Sequence, residues 1–159
     1  VIMPLLVRNI HLQLDAGAEK VMILDSGVGN MSESYFKKHY VNILQPMIQT
    51  DTGYYTQHLN SRCLPTLYKM GWAGIGIDST VDIVNTFKKY KDGFIQGNFD
   101  EQLLLLPKEE CRSHIEEFLN TMQTVDTTGW ICGLGHGINK TTPEENVEMF
   151  VRMVRERFK

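Results

Sequence analysis

Apolar positions along the chain fall into alternating runs of helical and strand character, separated by polar or glycine-bearing turns. Residues 4–16 place Leu5, Leu6, Ile10, Leu12 and Leu14 on a broad helical face, and Gly17 is suited to close it. The short run 21–24 predicts a buried strand with Asp25-Ser26-Gly27 at its C-terminal end. Helical spacing returns over 32–44 through Tyr35, Phe36, Tyr40 and Ile43, and 46–51 predicts a second strand running into Thr52-Gly53. A helix over 55–70 is expected to kink or split at Pro65. A third strand, 72–77, ends in Asp78-Ser79-Thr80, and Val81, Val84 and Phe87 then mark a helix that closes with Lys88, Lys89 and Lys91. The fourth strand, 93–96, leads into Gly97-Asn98-Phe99-Asp100. After the apolar run 103–106, Pro107 opens a helix carrying Ile115, Phe118, Leu119 and Met122. The last strand (Trp130, Ile131, Cys132) passes through Gly133-Leu134-Gly135-His136-Gly137 into a final helix. There Thr142 fits an N-cap, Pro143 the first helical position, and Glu145 the closing member of a capping box.

A leading helix and five strand–helix units with short turns argue for an α/β fold with a parallel sheet and helices packed outside it. No stretch reads as a linker or low-complexity tract, so residues 1–159 are expected to form one domain. Each strand ends in a polar or glycine-bearing cluster, where α/β folds place their sites.

Composition narrows the function classes. A hydrophobic fraction of 42% and a charged fraction of 22% suit an ordinary globular chain. A net charge of −3 without a basic stripe argues against nucleic acid. No apolar run approaches the ~20 residues of a membrane-spanning helix, and the opening residues do not read as a signal peptide. Val1, in place of a starting methionine, is compatible with a cut end. Cys63, Cys111 and Cys132 are sparse, odd in number and form no C-x-x-C pair, so reduced thiols in a cytoplasmic protein are expected. No G-x-G-x-x-G, Walker or H-E-x-x-H sequence occurs. His11, His39, His58 and His114 fall in predicted helices without a paired ligand, so no metal site is expected.

The glycine-rich turn at 133–137 holds the sharpest candidate. Its glycines let the backbone approach a ligand closely, and His136 is its one side chain able to exchange a proton near neutrality. A βα loop with an incidental histidine reads equally well from spacing alone. Asp25, Ser26 and Asp78 fit helix caps or solvated strand ends, and 96–100 fits a simple turn.

Together, four motifs resemble the uroporphyrinogen decarboxylase family. They are Val-x-x-Leu-Asp-Ser at 21–26, Gly76-Ile77-Asp78-Ser79-Thr80-Val81-Asp82, Ile95-Gln96-Gly97-Asn98-Phe99-Asp100, and Leu134-Gly135-His136-Gly137-Ile138 followed by Thr142-Pro143-Glu144-Glu145-Asn146-Val147. They stand in the family's order and run over essentially the whole chain; the last two are the most specific. The resemblance implies a (β/α)8 barrel, here the C-terminal portion with about five parallel strand–helix units, and usually a homodimer. It implies a carboxy-lyase that converts uroporphyrinogen III to coproporphyrinogen III by removing carboxyl groups from four acetate side chains, with no metal or organic cofactor. Carried over, His136 matches the histidine facing the substrate's carboxylate-bearing edge and Ser26 a substrate-contacting serine. Asp78 and Gln96 fall at strand ends that would shape the pocket.

The family's aspartate for the pyrrole N–H groups, its carboxylate-pairing arginines and a nearby tyrosine precede the matched region. Ser79 stands where many members carry tryptophan, Gly133 where many carry asparagine, and the helix after Ser32 reads as shortened. A related branch of corrinoid-dependent methyltransferases uses a His-x-Cys zinc site after one strand. The stretch 49–53 read as its counterpart has neither residue, which disfavours that chemistry. Two readings follow: part of a decarboxylase acting on a tetrapyrrole, completed by an N-terminal half or a second copy, or a partial barrel that binds a tetrapyrrole or partner protein without catalysis.

Overall fold

The computed structural model describes residues 2–58 and 63–158. Helix α1 (Met3–Asp15) precedes β1 (Val21–Asp25), and Gly17, at φ +100, makes the left-handed turn between them. A composite helix follows: α2 (Glu33–Tyr35), a π-helical stretch (Phe36–Tyr40) and α3 (Val41–Leu44). The Ser32 hydroxyl caps its start by accepting from Tyr35 N. Then come β2 (Thr52–Thr56), α4 (Leu64–Lys69), β3 (Gly74–Gly76), α5 (Ile83–Lys89) and β4 (Phe94–Phe99). The chain ends with α6 (Lys108–Met122), β5 (Trp130–Leu134) and α7 (Glu144–Arg157). The five strands form one wholly parallel sheet in the order β1-β2-β3-β4-β5. This is the α/β strand–helix architecture expected of part of a barrel.

The two faces of the sheet differ. One packs against helices, burying Tyr54 against Trp72 with rings 5.1 Å apart, together with Phe36, Leu67, Ile75 and Ile95. A second cluster, with Phe99, Ile115, Leu119 and Met149, fills the space beside α6 and α7. On the opposite face, large side chains lie over glycines. A Cβ on Gly53 or Gly74 would strike the Phe94 ring, and one on Gly76 would stand 2.9 Å from Tyr55 Cβ. Met22, Tyr55 and Phe94 therefore pack flat on that face because their neighbours have no side chains.

Three expectations need correction. The second strand is Thr52–Thr56, not 46–51. Pro46 sits in a 3-10 turn (Gln45–Met47) that prolongs the preceding helix, and the Thr52 hydroxyl accepts from Gln49 N and donates to Met47 O. That network winds 47–52 into a turn. The helix expected over 55–70 begins at Leu64, with Pro65 opening rather than kinking it; residues 59–62 of that expectation lie outside the described residues. Thr142 does not cap α7: Pro143 is the N-cap and has no side-chain cap bond. Asn139 Oδ1 instead draws in Thr141 through its N–H and hydroxyl. Glu145 pairs with Lys108 at 2.9 Å.

Candidate functional site

The C-terminal ends of β1, β2, β4 and β5 surround a cleft of about 450 Å³. Leu24, Asp25 and Ser26 come from β1 and its exit, Tyr55 and Gln57 from β2 and its exit, and Gln96 from β4. Leu134 to Gly137 close it from β5. The structure thus brings together Ser26, Gln96 and His136, three of the four residues singled out in sequence.

Asp78 is placed differently. It is buried (4% exposed), does not line the cleft, and accepts hydrogen bonds from Thr80 N, the Thr80 hydroxyl and His58 N. It ties the β3 exit to the end of β2 beneath the site. Nor does it cap α5; Asp82 does, accepting from Asn85 N at 2.9 Å.

Each wall is held by identifiable bonds. Asp25 Oδ2 accepts from the Tyr40 hydroxyl at 2.6 Å and the Tyr54 hydroxyl at 2.9 Å, while Oδ1 accepts from Gly27 N at 2.8 Å. Burial, followed by the bond to Asp25 and its charge, pushes the Tyr40 phenol up to about 12. Burial also raises Tyr54, with the Asp25 charge adding to it. Both remain donors at neutral pH, so the Asp25-Ser26-Gly27 turn rests on a carboxylate gripped from two sides.

On the opposite wall, Gly135 is buried and its N–H donates to Phe99 O at 2.7 Å. A Cβ there would stand 2.5 Å from Ser79 N, so only glycine permits this approach. His136 is exposed, its Nδ1 standing 3.3 Å from Gly137 O.

Chemically, the cleft offers amides (Gln57, Gln96), hydroxyls (Ser26, Tyr55) and an imidazole. No Lys or Arg occurs among the described lining residues. This set can hydrogen-bond a carboxylate, with the His136 imidazole among its donors. The cysteines stand apart from it: burial raises the Cys63, Cys111 and Cys132 thiols, the last to about 12, so they stay protonated at neutral pH.

Tyr55 and Gln57 escaped the sequence reading because the second strand was expected six residues too early. Their signal was the run Thr52-Gly53-Tyr54-Tyr55-Thr56, rich in strand-favouring residues, with positions 55 and 57 on one face. The corrected strand leads into Gln57-His58, and its exit carries no His-x-Cys sequence either.

Comparison with known proteins identifies relatives of this chain. The profile of the family described as uroporphyrinogen decarboxylase matches residues 1–157. A uroporphyrinogen decarboxylase from Hydrogenobaculum is 31% identical over 159 residues, covering 95% of this chain and 45% of that protein. One from Carboxydothermus hydrogenoformans is 32% identical over 156 residues, covering 94% and 44%. The chain therefore spans less than half the length of these relatives. Among solved structures, a methyltransferase from Methanosarcina mazei superposes with a TM-score of 0.76 at 21% identity, covering 96% of this chain and 46% of that one, a likeness of fold. The chain belongs to the uroporphyrinogen decarboxylase family.

Proposed function

We propose that residues 1–159 form one partial-barrel domain that supplies the C-terminal part of the site of a cytoplasmic carboxy-lyase of haem biosynthesis, acting on the acetate side chains of uroporphyrinogen III to give coproporphyrinogen III. The observation that carries this reading is the convergence of Ser26, Gln96 and His136 on one cleft at the C-terminal ends of parallel strands.

In this reading His136 pairs with the substrate carboxylate, while Ser26 and the Gln96 amide hydrogen-bond its oxygens or the adjoining ring. Decarboxylation breaks the bond between the acetate methylene and its carboxyl carbon. The electron pair passes into a protonated pyrrole and carbon dioxide leaves; the exocyclic methylene then gains a proton to become a methyl group, and the ring releases the proton it had taken up, which restores the pyrrole. The chain's part is to fix the carboxylate beside the pyrrole and to stabilise charge as it moves. The further cations that a polycarboxylate needs would come from outside this cleft, from an N-terminal half or a second copy.

The test is His136→Ala in the complete protein, with carbon dioxide release from uroporphyrinogen III as readout. A fall of about 10²-fold is expected, the usual size for loss of one preorganised charge partner; unchanged turnover would remove His136 from this role.

The absence of Lys and Arg among the described lining residues favours a second reading, a partial barrel that binds a tetrapyrrole or partner without turnover. Carbon dioxide release by the 159-residue chain alone would exclude it.

A further inference from the structure

We propose that Tyr55 is a positioning residue: its phenol, donated across the cleft to the Gly135 carbonyl, holds the turn that presents His136. The inference rests on the reading of His136 as the carboxylate partner. The bond measures 2.7 Å and joins residues 80 positions apart in sequence, linking β2 to the exit of β5 across two intervening strands.

Gly135 is gripped from three directions. Its N–H goes to Phe99 O on β4, its carbonyl accepts from Tyr55 on β2, and the backbone of Asp78 and Ser79 after β3 fills the space a Cβ would need. His136 is the next residue. Among the described residues its ring has only the 3.3 Å approach of Nδ1 to Gly137 O, so its direction is set chiefly by the backbone before it.

Tyr55 is suited to the task. Its ring lies over Gly76, where a Cβ would stand 2.9 Å from Tyr55 Cβ and Cδ2, so the side chain packs flat and has one direction in which to extend. Burial, then the negative charges of Asp78 and Glu101, push its phenol up to about 12. The hydroxyl therefore keeps its proton, and keeps donating, through the whole physiological range.

The experiment compares the 159-residue chain with its Tyr55→Phe, His136→Ala and doubly substituted forms. Phenylalanine keeps the ring over Gly76 and removes only the donor. Amide hydrogen exchange is followed by NMR at Gly135, His136 and Gly137, with Ile75 and Ile95 as references. Binding is measured with coproporphyrin III, the stable oxidised form of the expected product. In Tyr55→Phe, exchange at Gly135 is expected to rise about fivefold, the size of one neutral hydrogen bond, with the reference amides unchanged. The Kd should rise several-fold in the parent background and not in the His136→Ala background, since the tyrosine acts through the histidine. Unchanged protection at Gly135 overturns the clamp. An equal loss of affinity in both backgrounds overturns its action through His136. A His136→Ala chain that binds like the parent overturns the histidine reading instead, and protection at Gly135 then decides the clamp by itself.

Discussion

Among single residues, Asp25 holds three partners: its carboxylate accepts from two phenols and a backbone N–H, and Ser26 is the next residue. The pairing has a signature in the pH dependence of stability. Below about pH 10, the ordinary phenol value, Tyr40 is protonated in folded and unfolded chains alike, and its contribution is fully present. As pH rises from there towards about 12, the unfolded chain releases the proton first while the folded chain retains it. The unfolded state then binds fewer protons, so stability falls with rising pH. Urea midpoints measured from pH 8 to 11.5 should therefore decline, and Tyr40→Phe should decline less steeply across the same range. The variant should also be less stable at pH 7, by about 1 kcal/mol for one lost hydrogen bond. Equal alkaline slopes in the two proteins would show that Tyr40 is not protonated and paired with Asp25 as the structure has it.

The packing of elements depends on polar groups of unequal weight, and α7 shows both kinds. Asn146, in its first turn, is 1% exposed and donates to Leu104 O at 2.9 Å and Leu106 O at 3.0 Å, stitching the helix to the segment before α6. Next to Asn146 in sequence, Glu145 forms an ion pair with Lys108 in which the Lys and Glu side chains are 49% and 59% exposed. Asn146→Ala should cost about 2 kcal/mol by leaving carbonyls without their donor, whereas Lys108→Ala should change stability by less than about 0.5 kcal/mol. Urea denaturation of both variants checks the contrast, and a comparable loss from each would contradict it. At this scale the sequence was most legible where one short-range pattern decided the outcome. The extent of α1 with Gly17 at its end, the Ser32 start, and Pro107 before α6 all depend on neighbours within a few residues. It was least legible around Pro46 and Thr52. There a threonine hydroxyl bonded to Gln49 and Met47 wins over apolar spacing, displacing the strand and with it Tyr55 and Gln57. Asp78 shows the same limit in the site, since its partner His58 lies 20 residues away and no local signal distinguishes a loop tie from a pocket wall.

At the scale of the molecule, the sheet is open at both ends: β1 pairs with β2, β5 pairs with β4, and among the described residues neither has a second neighbour. The open edges coincide with exposed apolar groups, Leu24 on β1 (75% exposed) and Ile131 on β5 (42%). Beside β1 a groove of about 500 Å³ continues this surface, lined by Leu6, Ile10, Leu24 and Ile43 among others. Unpaired strand edges flanked by apolar side chains are templates for further pairing, and charge on an edge strand is an effective way to block it. The isolated 159-residue chain should therefore self-associate, its light-scattering mass rising above 18.2 kDa with concentration. Leu24→Lys should hold the mass near 18.2 kDa at the same concentrations, because the charge would have to be desolvated on pairing. The control is Val151→Lys on α7: Val151 is itself 40% exposed but belongs to a helix and not to an edge strand, so its substitution should leave edge pairing intact. A parent chain that stays at 18.2 kDa over the whole range would mean that the open edges are already protected, and the twist of the sheet and the side chains over its inner face would have to suffice.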